Sequence, residues 1–236
     1  MQLKHVILIL FITARLFSQT ISPLINGVFI VNQTKYYDKL STTPSTLKIN
    51  NGVAAYFSAT PKNDIATTDF VNAGNVKFNE KPLTKATQNF YSDNEITSID
   101  SKNWKVSGHS GVVTNMNFIY NGTLPNFDYS NQLIADTIKK SDTLFVTINN
   151  IQNADTIQIR FADDNQLASQ HHVAYKAPNY ANRYYLPPFI FSPLVVGPRA
   201  VVTVEAINYT YQTIGGKQYL FRNIFSFVKN GITLIN

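Results

Sequence analysis

Apolar and polar residues alternate with period two through most of the chain from residue 28 onward. In Thr156–Phe161 the side chains of Ile157, Ile159 and Phe161 point one way, and those of Thr156, Gln158 and Arg160 the other. Leu144, Val146 and Ile148 repeat the pattern just upstream. The residues from Asn149 to Asp155 are rich in turn formers, which predicts a hairpin of 143–149 with 155–162. Asp163-Asp164-Asn165 closes the second of these strands with a polar turn.

Further strands are predicted at 27–33, 53–59, 75–79, 103–107, 113–120, 168–175 and 200–208. The last pair, 207–214 and 217–228, is joined by Gly215-Gly216, which supplies the positive φ angles of a tight hairpin. Tyr219, Phe221, Phe225 and Phe227 then share one face. No segment sustains a 3.6-residue apolar period; Gln132–Lys140 comes nearest and reads equally as helix or loop.

Short strands, frequent turn signals and no helices predict the all-β class. The expected architecture is an immunoglobulin-like, Greek-key antiparallel β-sandwich. A polar, turn-rich stretch at Asn94–Asn103 suggests a boundary, giving an N-terminal sandwich part at 20–102 and a C-terminal sandwich domain at 103–236, packed together. One continuous sandwich is the alternative. Trp104, the only tryptophan, is expected to fill a core.

Composition agrees with this picture. Of 236 residues, 44% are hydrophobic, which excludes a disordered chain. Only 14% are charged, so hydroxyls and amides supply the polarity of the wet faces. Lys4, the unbroken apolar run Val6–Ile12 and Ser18-Gln19 lay out a signal peptide over residues 1–19, with Arg15 atypical for its tail. No second apolar stretch has the length of a membrane helix, so no membrane span is expected. Cysteine is absent, which fits a bacterial envelope protein better than a disulfide-stapled eukaryotic one, and leaves no Cys for an N-terminal lipid anchor. The expected location is secreted or periplasmic. The formal charge of +6 falls to +4 once Lys4 and Arg15 leave with the leader. Lys139-Lys140 is the only basic doublet, so nucleic acid is not an expected partner.

Several short stretches carry a resemblance. They are Asn72-Ala73-Gly74-Asn75-Val76-Lys77-Phe78-Asn79, Trp104-Lys105-Val106-Ser107-Gly108, Asn153-Ala154-Asp155-Thr156-Ile157, Asn208-Tyr209 and Gly215-Gly216-Lys217-Gln218-Tyr219-Leu220-Phe221. In order and spacing, over roughly residues 50–228, the chain resembles uncharacterised exported β-proteins of Gram-negative bacteria. The resemblance implies export and a β-sandwich, and brings no catalytic residue with it.

The motifs that carry chemistry are few. Gly108-His109-Ser110-Gly111-Val112 comes close to a nucleophile elbow, but Val112 stands where glycine is required and a strand-like run follows, so a hairpin turn explains it better. His171 and His172 are adjacent on a strand and face opposite sides, which prevents both from holding one metal. Asp163-Asp164-Asn165 offers oxygens but lacks the EF-hand pattern. Glu205 is a lone acid in the apolar strand Val201–Ile207 and is expected at solvent or at an edge. No cofactor or metal is expected, and no pair of acids is spaced for glycoside hydrolysis.

The aromatic segment from Tyr175 to Phe191 is the most suggestive feature. It contains Tyr180, Tyr184, Tyr185 and Phe189 beside Asn179, Asn182 and Arg183. Flat rings can cover the apolar face of a sugar while amide and guanidinium donors take its hydroxyls. Tyr180, Arg183, Tyr184 and Tyr185 are the expected ligand contacts. Tyr36-Tyr37 is a second, smaller patch. The function expected from these features is non-catalytic binding of a glycan or another surface component by an exported envelope protein. A structural or adhesive role with another envelope protein is the second reading, and a hydrolase the third.

Overall fold

The computed structural model describes residues 23–37, 47–130, 133–163 and 172–236, with backbone alone at 172–174. The expected leader over 1–19, His171 and the Asp164-Asn165 half of the polar turn lie outside the described residues. Among the described residues, helical structure amounts to two short 3₁₀ turns, Thr67–Asp69 and Pro188–Ile190. The protein is an all-β sandwich.

Its backbone is a long hairpin. Strand β14 (Gly197–Ile214) and strand β15 (Lys217–Ile235) run for 18 and 19 residues. Gly215 and Gly216, at φ 57° and 76°, make the left-handed pair that a two-residue turn between twisted strands requires. The separate strands expected at 200–208 and 207–214 are therefore one. Strand β1 (Ile25–Tyr37) lies parallel to β15, from Gly27 opposite Tyr219 to Tyr36 opposite Val228. Strand β2 (Leu47–Lys62) follows antiparallel to β1.

The sheet extends past β14 through β11 (Thr156–Ala162) to β12 (His172–Pro178). On the other side it extends past β2 through β6 (Tyr91–Asp93) to β5 (Thr84–Lys85). Strand β9 (Thr137–Lys139) pairs in parallel with the end of β15 and brings the sheet to nine strands among the described residues. It forms where Gln132–Lys140 left helix and loop open.

Two smaller sheets cover this layer. One has the order β4 (Lys81–Pro82), β3 (Val76–Phe78), β7 (Asn103–Val106), β8 (Met116–Ile119). The other is a ribbon of β10 (Leu144–Thr147) and β13 (Arg183–Leu186). Each encloses its own core. Under the four-stranded cover, Phe78, Trp104, Val106 and Met116 meet Phe29, Phe57, Tyr219 and Phe221. Under the ribbon, Val146, Ile148, Tyr184 and Leu186 meet Ile157, Ile159, Val204 and Phe227. Phe221 and Phe225 of one strand thus serve different cores.

Buried Asn223 stands on the same face between them, its amide donating to the Tyr120 hydroxyl at 2.7 Å. The expected boundary at 102/103 falls at the head of β7, which pairs with β3 and places Trp104 opposite Phe78. A register shift near the end of the hairpin sets Val202 opposite Lys229 and Ala200 opposite Ile232. Gly231 occupies the extra position at φ 66°, so Ile232 and Leu234 return to the core face. Lys229, buried beside this bulge, pairs with Asp136 at 2.7 Å and donates to the Ile134 carbonyl, fastening the β9 segment to the sheet.

The expected hairpin of 143–149 with 155–162 does not form. Strand β10 pairs with β13, and β11 pairs with β12 and β14. The residues between them cross from one layer to the other, with Asn150 and Asn153 at φ 51° and 54° and Asn126 bridged to Gln152. The apolar faces of β10 and β11 therefore meet across the core instead of lying side by side.

Phe29 is the hub of the first core. Its ring lies 4.9 Å from Trp104, 5.3 Å from Phe118, 5.5 Å from Phe57 and 5.0 Å from Phe221. Phe29→Ala is expected to cost roughly 3–5 kcal/mol, because the cavity lies among rings that cannot collapse into it. Chemical denaturation followed by Trp104 emission measures the loss. Because β1, β14 and β15 serve both cores, far-ultraviolet circular dichroism is expected to shift to the same lower midpoint.

Candidate functional site

The β10–β13 ribbon decides which residues of the aromatic segment reach solvent. Phe145 stands opposite Tyr185, Val146 opposite Tyr184 and Thr147 opposite Arg183. Alternation sends Val146, Tyr184 and Leu186 inward and Phe145, Thr147, Arg183 and Tyr185 outward. Tyr185 is 54% exposed and Phe145 49%. The Arg183 guanidinium lies 4.3 Å from the Phe145 ring centroid, and the Phe145 and Tyr185 rings meet edge to face at 5.7 Å. Cation–π attraction holds the guanidinium against Phe145 while its N–H edge can still donate. The Tyr185 ring and hydroxyl complete an outward patch with an apolar surface and hydrogen-bonding groups at its margin.

Of the four expected contacts, Arg183 and Tyr185 lie together on this patch. Tyr180 sits in the turn that leads into β13 and is 86% exposed. The Asn182 carbonyl in that turn accepts from the Ile148 N–H at 2.7 Å, which fixes the turn at the Arg183 end of the ribbon. Tyr184 must be withdrawn from the set. It is 2% exposed, packed in the second core, and cannot touch a ligand on the outer face. Phe145 joins the patch from a strand about forty residues earlier, a neighbour that only cross-strand pairing reveals.

The rest of the segment is structural in part. Phe191 is buried against Phe161 with centroids 5.0 Å apart. Lys140 donates to the Ser192 and Leu194 carbonyls, so one member of the basic doublet caps a loop. Asp163 accepts the Val195 N–H at 2.8 Å, tying the same loop down from the other side. The Tyr36-Tyr37 patch divides, because Tyr37 packs edge-on to Phe227 of the core.

The other marked residues have structural partners. Glu205 is only 8% exposed, against the expectation of a solvent or edge position. It pairs with Arg160 of β11 on the outer face of the large sheet. The Ser226 hydroxyl lies 3.5 Å from Glu205 and 3.2 Å from Asn32, extending the polar chain onto β1. Gly108–Val112 forms the expected turn, with Ser110 and Gly111 at φ 41° and 71° and the His109 N–H donating to the Val113 carbonyl at 3.1 Å. Among the described residues, no three His, Asp or Glu side chains converge as metal ligands. No helix among them is long and apolar enough to cross a membrane.

Neither protein-family models nor curated proteins give a match to this chain.

Burial pushes the Tyr184 phenol up to about 12, with the neighbouring Tyr175 adding to the shift. Its hydroxyl has no hydrogen-bond partner among the described residues. An unfolded tyrosine titrates near 10, so between pH 10 and 12 the unfolded chain has released a proton that the folded chain still holds. Stability is therefore expected to fall as pH rises through that window, and to fall less in Tyr184→Phe. At neutral pH the same substitution is expected to be neutral or to stabilise by about 1 kcal/mol, since it removes an unsatisfied buried hydroxyl. Denaturant titrations at pH 7, 10 and 11 measure both effects.

Proposed function

We propose that this is a non-catalytic, exported β-sandwich protein of the bacterial envelope that binds a glycan or another surface component through the outer face of the β10–β13 ribbon. The observation that carries the reading is the grouping of Tyr185, Phe145 and Arg183 on that face, exposed and in contact with one another. Two exposed rings on a two-stranded ribbon do nothing for the core behind them. Apolar ring surface beside a guanidinium and a phenol hydroxyl is the chemistry that takes a sugar ring by its C–H face and its hydroxyls together. The leader-like N-terminus supports export. The commitment of Glu205 to Arg160 supports a binding role over a hydrolytic one.

Fragments of bacterial polysaccharides, screened by thermal shift against residues 20–236, test the reading. A ligand at 100 times its Kd adds roughly 2.7 kcal/mol of stability. Tyr185→Ala and Arg183→Gln are each expected to weaken the responding glycan at least tenfold, with Tyr184→Phe unchanged. Equal binding by all three variants would remove the ribbon from the site.

The adhesive reading has an observation of its own. Phe189, Val195, Val196 and Ile235 are all exposed beside the end of the long hairpin, an apolar grouping suited to a protein partner. Sedimentation velocity over a hundredfold concentration range is expected to show self-association that Phe189→Ser weakens. A monomer throughout would count against this second reading.

A further inference from the structure

A different feature stands on the outer face of the four-stranded cover, over the first core. Alternation in β3, β7 and β8 turns Phe78, Trp104, Val106 and Met116 inward. It turns Lys77, Lys105 and Asn117 outward, and the ladder sets these three in one row, Lys77 opposite Lys105 and Lys105 opposite Asn117. Asn75, Ser107 and Asn115 follow alongside. Together they line an open groove of about 430 Å³.

Two features of this groove work against the stability of the fold. Like charges directly opposed across a ladder are unfavourable, yet Lys77 faces Lys105. The turn from β3 to β4 places Asn79 and Glu80 at φ 48° and 66°. Such a turn is relaxed with Asn-Gly, and a glutamate in the glycine position is strained. The Glu80 carboxylate lines the groove and pairs with Lys105, and the hydrogen bond from Lys105 lowers its pKa. Unfavourable local choices that gather at one cavity mark a place shaped for a ligand rather than for the fold.

We infer that this groove is a binding site for a carboxylated saccharide, separate from the ribbon patch and independent of the reading given to that patch. Lys77 supplies the cation for the ligand carboxylate. Glu80 pairs with the Lys105 ammonium and acts on Lys77 only through its field, which leaves the Lys77 ammonium to the ligand. The side-chain amides of Asn75, Asn115 and Asn117 both donate and accept, which suits the hydroxyls of a sugar ring. A bare anion would use the ammonium groups and leave the amides idle; a neutral sugar would leave Lys77 without a counter-charge.

The test is calorimetric titration of the full chain with tetragalacturonate, maltotetraose and inorganic phosphate. Tetragalacturonate is expected to bind with an affinity that falls as salt rises, and at least tenfold more tightly than either comparison ligand. Lys77→Thr removes the opposed charge and suits a strand, so its melting temperature is expected to hold or rise while tetragalacturonate affinity drops at least tenfold. Tyr185→Ala is expected to leave that affinity unchanged, which separates this site from the ribbon. The inference is overturned if tetragalacturonate does not bind, if phosphate binds as tightly, or if Lys77→Thr binds it like the wild type.

Discussion

The length of the β14–β15 ladder is the constraint on which the rest of the structure depends. At about 3.3 Å per residue, strands of 18 and 19 residues reach about 60 Å. No single short sheet can cover a hydrophobic face of that length, so the opposite layer is divided and two cores arise side by side. The shared strand must then present large rings to both, and it does so with one uninterrupted parity from Tyr219 to Phe227. Only past Lys229 does the parity slip, and there Gly231 absorbs the extra residue. Asn223 marks the seam, where its side-chain N–H donates to the Tyr120 hydroxyl.

Both surfaces argued to bind ligands lie on the covers and not on the continuous sheet. On the outer face of the large sheet a chain of polar groups runs from Arg160 through Glu205 and Ser226 to Asn32. The covers are separate from that chain. Each is a small sheet whose inner side chains are fixed by a core, so its outer side chains stand on a rigid support and carry little of the folding energy. The ribbon offers rings with a guanidinium, and the four-stranded cover offers ammonium groups and amides. The two ends of the molecule therefore present different chemistry on the same kind of platform.

Much of this was legible in the sequence because period two is a strong signal. The alternation in Thr156–Phe161, the Gly215-Gly216 turn and the ring face of β15 appear as the residues predict. Pairing was not legible. Nothing local to Leu144–Ile148 says that its partner is Arg183–Leu186 rather than the next strand, and nothing near Gly27 says that it lies parallel to Tyr219. The same limit applies to the site. Arg183-Tyr184-Tyr185-Leu186 carries its own alternation, which separates Tyr184 from its neighbours once the segment is treated as a strand instead of a loop. Phe145 had no such signal, since its place beside Tyr185 exists only after β10 and β13 meet. The groove of Lys77, Lys105 and Asn117 is likewise a product of register, assembled from three strands with no recognisable motif.

The parallel docking of β1 on β15 also sets the order in which the molecule can be completed. Asn32 and Ser226, which meet across that ladder, are 194 positions apart. A ribosome delivers β1 long before β15. Until β15 arrives, β1 pairs with β2 alone, and its other edge lacks the neighbour it has in the finished sheet. The contact of longest range closes last, which makes folding slow compared with the local hairpins. An open edge bearing Val28, Ile30 and Val31 is also a template for the wrong neighbour. The chain is thus most vulnerable to aggregation just before β15 emerges, and its stability as a finished sandwich gives no protection during that interval.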